Sequence, residues 1–265
     1  MSYYGGYGSR TSRLPKEAFR PSALFLGLVA LALVSGYMAW AGFGSAKLAV
    51  FLFVAAGWTI SLCLHEYAHA LVAYKGGDDD IAHRGYLTLD PLKYSHPLLS
   101  IVLPLVFVLL GGIGLPGGAV WVNHAAIRTR FVDSLISFAG PAVNLLLAIL
   151  LALPFAFGAG VDFEHDVFWS AVAFLAFLQL TASVLNFVPI PGVDGGNLVY
   201  PWLNEQWKRG FNHVAPFGML LLIALLWSPV INRYFFELVQ AIGDVIGIPP
   251  NHVSVGYSLF KFWSF

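Results

Sequence analysis

The chain has 265 residues, 58% hydrophobic and only 11% charged, against about 25% charged in an ordinary soluble domain. That composition excludes a freely soluble globular protein and indicates an integral membrane protein in a lipid bilayer. Fourteen Lys and Arg balance fourteen Asp and Glu, so no net positive field favours a nucleic-acid partner.

Residues 1–22 are polar, with Arg10, Arg13, Lys16 and Arg20 against Glu17. No apolar core begins before Ala23, so this segment does not read as a cleaved signal peptide. It reads as a disordered tail, kept cytoplasmic by its basic residues. The first apolar run, residues 23–41, is long enough to span a bilayer core of about 30 Å. The second, residues 48–74, contains His65-Glu66-Tyr67-Ala68-His69. With a cytoplasmic N-terminus, this helix runs inward and brings the histidines toward its cytoplasmic end. The single cysteine, Cys63, excludes an intramolecular disulfide and reads as a small buried apolar residue.

A polar stretch follows. Asp78, Asp79 and Asp80 read as a solvated turn, and residues 86–89 as a short strand. The run over 97–115 is broken by Pro104, Gly111, Gly112 and Gly114. It is flanked on both sides by Arg or Lys, which favours a re-entrant or hairpin element over a full crossing. Further runs cover residues 135–157, 168–190 and 214–227, with 235–248 extending the last or lying at the interface. Aromatic residues around Phe260, Phe262 and Trp263 read as an interfacial anchor. The expected fold is an all-α polytopic membrane protein with about five to six transmembrane helices and a re-entrant or short β-type element after the second run. One embedded domain covers 23–248, with its core at about 48–205 and an interfacial tail at 249–265.

The chemistry concentrates in the second run. H-E-x-x-H on a helix sets two imidazoles at i and i+4 on one face, where they can share a zinc ion with the Glu beside it. Ionisable groups at the centre of a membrane helix cost roughly 2.5–3.5 kcal/mol each, and a metal ion compensates for three of them together. Catalytic zinc takes three protein ligands and keeps one open position. Asp194 is the best third ligand, because it follows a helix end broken by Pro189 and Pro191 and precedes Gly195 and Gly196. Asp90, Glu205 and His213 are alternatives in more ordinary polar loops. Glu66 suits a general base, and Asn186 could donate a hydrogen bond to a developing oxyanion.

The membrane-embedded HEYAH, followed by Asn186, Pro189, Asp194 and Gly195 in the pattern N-x-x-P-x-x-x-x-D-G, resembles the site-2 protease family of intramembrane zinc metalloproteases. Gly140-Pro141-Ala142-Val143-Asn144 resembles a third family element, with Asn144 as a further site residue. The likeness is to small bacterial members, with no PDZ-like insertion or CBS region. It implies one zinc held by His65, His69 and Asp194, with Glu66 as base. It also implies cleavage of a peptide bond in or near the transmembrane helix of a membrane-protein substrate, in regulated intramembrane proteolysis at a bacterial plasma membrane. The alternative is a metal-binding membrane protein or transporter that uses the same ligands without hydrolysis. The sequence carries no signal for oligomeric state.

Overall fold

The computed structural model describes residues 19–94, 120–161 and 164–262. The expected re-entrant element over 97–115, most of the N-terminal tail, and Trp263 lie outside these residues.

Five helical stretches are long and apolar enough to cross a membrane: Ala23–Ala41, Ala46–Gly76, Arg130–Ala156, Asp166–Asn186 and Glu205–Trp227. Local signals set their ends. Helix α1 (Ala23–Ala41) starts where the Ser22 hydroxyl accepts the Phe25 N–H, and stops at Gly42 in the left-handed region. Helix α2 (Ala46–Gly76) is capped by Ser45 in the same way. After the one-turn helix α3 (Asp80–His83), helix α4 (Arg130–Ala156) is capped by Thr129 and carries Pro141 and Pro154 inside it. Helix α5 (Asp166–Asn186) is followed by the short helix α6 (Asp194–Val199). The chain then forms α7 (Glu205–Val214), α8 (Gly218–Trp227), α9 (Pro229–Ile246) and α10 (Pro250–Phe260).

The core lies between α2, α5 and α10. Val50, Val54, Trp58 and Leu62 of α2 pack on Ala171, Phe174, Leu175 and Leu178 of α5. Gly57 lets the two helices approach, since a Cβ there would lie 2.6 Å from a Leu175 methyl. One turn before His65, the Gln179 amide donates to the Ser61 hydroxyl at 2.7 Å. Such interhelical bonds contribute only about 0.6 kcal/mol on average in membranes, so close packing carries most of the association.

Three expectations change. The strand at residues 86–89 is a 3-10 turn, Tyr86–Thr88, between Gly85 and Leu89, both left-handed. Its backbone is turned inward: the Thr88 carbonyl accepts the Ser22 N–H at 2.8 Å. Among the described residues there is no strand. Secondly, Phe260 is not an interfacial anchor. It is fully buried in the α2–α5 core, and Gly256 lets α10 press against the Ser170 carbonyl. Thirdly, Asp78 is not solvated; it is 1% exposed.

Candidate active site

Helix α2 carries His65, Glu66 and His69 on buried positions, one turn apart, facing α4 and α6. The Nε2 atoms of His65 and His69 lie 3.0 Å apart. Asp194, the first residue of α6, puts its Oδ2 3.2 Å from His65 Nε2 and 3.4 Å from His69 Nε2. This is the one group of three or more metal-capable side chains found together among the described residues.

The arrangement fits a zinc ion. Bonds of about 2.0–2.1 Å at tetrahedral angles set ligand atoms roughly 3.3–3.4 Å apart, close to the spacings above. The outer ring nitrogens are committed elsewhere. His69 Nδ1 lies 2.6 Å from the Ile136 carbonyl, and His65 Nδ1 lies 3.3 Å from Asn144 Oδ1. Both acceptors belong to α4. With Nδ1 protonated, each neutral imidazole turns a lone pair inward. Two lone pairs and a carboxylate oxygen then converge, which calls for a cation.

The floor of the site is Gly140. A Cβ there would overlap His69 Nε2 and lie 2.5 Å from His65 Nε2, so glycine leaves the space in front of both rings. The next residue, Pro141, has no N–H for the Ser137 carbonyl, which loosens α4 locally. The Pro141 carbonyl accepts the Ser183 hydroxyl at 2.9 Å, which ties this part of α4 to α5.

Asp194 is set by the turn between α5 and α6. The Val193 N–H bonds the Ile190 carbonyl at 3.1 Å. Gly192 is left-handed (φ 89) and packs on the Ala215 carbonyl; Gly195 and Gly196 lie against the Phe187 and Ile190 carbonyls, with no room for a Cβ. The Ser134 hydroxyl donates to the Leu198 carbonyl at 2.7 Å and accepts the Trp202 indole N–H at 2.8 Å, tying α6 to α4.

Glu66 is 2% exposed. Its Oε2 has no hydrogen-bond partner among the described residues, while its carboxyl faces the Val120 backbone N–H. That N–H belongs to a non-helical segment, residues 120–123, that packs along α2 through Val120 and Val122. Asp78 holds the segment: its Oδ2 accepts the Asn123 N–H at 2.7 Å, and its Oδ1 accepts the Asp80 N–H at 3.2 Å. Beyond it, His124 pairs with Asp133 at 2.6 Å, and that hydrogen bond raises the imidazole above its usual range.

Asn186 is buried at the last turn of α5, with no hydrogen bond from its amide to a described residue. The alternative ligands stand apart. Asp90 caps a 3-10 turn, Glu205 pairs with Lys208, and His213 bonds the Arg209 carbonyl. Sequence reasoning missed two groups here: the Ile136 carbonyl, which has no side-chain signature, and Asp78.

No family model matches the chain, and no solved structure matches it. Among curated proteins, it is 46% identical to a candidate zinc metalloprotease named Rip2 from Mycolicibacterium smegmatis, over 94% of this chain and 96% of that protein. A Rip2 of Mycobacterium tuberculosis is 48% identical over the same shares. A candidate zinc metalloprotease of Bacillus subtilis, YwhC, is 29% identical over 71% of this chain and 85% of its own length. The chain belongs to the family of these zinc metalloproteases, the site-2 protease-like family that its paired motifs resemble.

Proposed function

We propose that this protein hydrolyses a peptide bond in or near the transmembrane segment of a membrane-protein substrate, with His65, His69 and Asp194 as the zinc ligands. The carrying observation is the convergence of Asp194 Oδ2 on the two Nε2 atoms at 3.2 and 3.4 Å. Zinc in such a site polarises the scissile carbonyl and lowers the pKa of water toward about 7.

The chain's own residues do the rest. Glu66 takes the proton of the attacking water and passes it to the leaving amine. The Val120 N–H orients the Glu66 carboxylate for that transfer. The Asn186 amide is free to donate to the oxyanion as charge develops on the substrate carbonyl. The acceptors on α4 hold both imidazoles in the tautomer that ligation needs. A helical substrate must unwind to expose its carbonyl, and the non-helical backbone of residues 120–123 offers an extended strand a place beside Glu66.

The same reading puts the protein in a bacterial plasma membrane with its N-terminus cytoplasmic, acting in regulated intramembrane proteolysis. The basic Arg20 and the Lys208–Arg209 pair support that orientation.

The test is Glu66→Gln in purified, zinc-loaded protein, with a model transmembrane substrate. The variant keeps its zinc and loses cleavage by about 100-fold or more. Metal-dependent cleavage that persists would remove Glu66 as the base. A wild type that binds zinc and cleaves no peptide would favour the transporter alternative.

A further inference from the structure

Helix α9 carries an exposed polar stripe on the outside of the helical bundle. Arg233, Glu237, Gln240 and Asp244 are all exposed. Their spacing of four, three and four residues puts them on one narrow face, along roughly 16 Å of helix. Arg233 and Glu237 are 67% and 59% exposed and pair with each other at 3.4 Å. Neither Gln240 nor Asp244 has a side-chain hydrogen bond among the described residues.

Helix α9 is not itself one of the five apolar spans, but it packs along two of them. The opposite face of α9 buries Val239 against Ala148 and Ala152 of α4 and Ala176 and Leu180 of α5. Those residues are inside two helices long and apolar enough to cross a membrane. Phe236 stacks on Phe177 in the middle of α5. Beside the stripe, Tyr234, Leu238 and Val245 are exposed and apolar, as lipid contact requires. Charged and amide groups facing hydrocarbon are costly, and they are normally turned toward a partner or a water-filled cavity.

We propose that α9 is a self-association surface, on which the Arg233–Glu237–Gln240–Asp244 stripe meets the same stripe of a second copy of this chain. Two membrane proteins of the same orientation pair about a twofold axis along the membrane normal, so the two α9 helices meet with the same sense. The stripe is self-complementary in that arrangement. Arg233 of each copy reaches Glu237 of the other, one turn away. The Gln240 amides, each both donor and acceptor, bond to one another or to Asp244 across the interface. Gln240 and Asp244 border a groove of about 330 Å³, whose walls include Phe174, Phe177, Phe236 and Tyr257 and offer the approaching surface apolar contact.

The experiment uses the full chain in membranes, and reads association rather than proteolysis. Gln240→Cys is oxidised and compared with Leu238→Cys and wild type, whose Cys63 is buried. Gln240→Cys gives a disulfide-linked species of twice the chain mass; the other two do not. Arg233→Glu and Glu237→Arg each lower the paired fraction of dilute protein in liposomes at least fivefold, and the double charge swap restores it. Photobleaching of labelled wild type shows two steps. Single steps at every density, or equal cross-linking of Gln240→Cys and Leu238→Cys, would overturn the proposal. So would a cross-linked species of another mass, which would assign the stripe to a different membrane protein.

Discussion

Gly140 stands so close to His69 Nε2 that a methyl group in its place would overlap the ring nitrogen. Alanine is the better helix former by about 0.8–1 kcal/mol, so local propensity alone would favour Gly140→Ala. The space it leaves for a metal argues the reverse. Gly140→Ala should lower zinc occupancy at least tenfold, while Gly27→Ala, where nothing lies within 4 Å, should leave it unchanged. Zinc content and helical melting of both variants check this. Full occupancy in Gly140→Ala would mean that this glycine serves helix packing alone.

Asn144 touches no substrate in this account; it positions His65 through Nδ1. Removing such an outer partner typically costs 10–100-fold in metal affinity. Asn144→Ala should release zinc to a competing chelator at about that lower threshold. Asn144→Asp, which keeps an acceptor, should recover most of the loss. Equal zinc retention in all three proteins would reduce Asn144 to a packing residue.

Asp78 holds the segment beside Glu66 through the Asn123 N–H. Asp78→Ala leaves that donor unpaired, at a cost of about 1–3 kcal/mol. If the segment seats an extended substrate, KM should rise by roughly tenfold while zinc content stays at the wild-type level. A fall in kcat with KM unchanged would place the effect on Glu66 rather than on substrate seating.

Much of this was legible in the chain. The run over 23–41 matches α1 residue for residue, because Ser22 and Gly42 bound it with a cap and a left-handed stop. The metal-capable trio was also legible, since HEYAH fixes two ligands by helical period and the broken helix end before Asp194 supplies a third. The rest depended on contacts distant in sequence. Three aspartates in a row read as solvated; Asp78 is buried only because residues 120–126 fold back over it. The aromatic pattern around Phe260 is the same for a membrane anchor and for a core helix, and only the fit of Gly256 against α5 separates them. Residues 86–89 read as a short strand from their β-type residues, but left-handed Gly85 and Leu89 close them into a turn.

The most direct measurement is the zinc content of purified wild type beside His65→Ala and Asp194→Ala. About one zinc per chain is expected in wild type, lost in both variants while each keeps its helical content. Zinc retained without Asp194, or absent from folded wild type, would contradict the centre built from His65, His69 and Asp194.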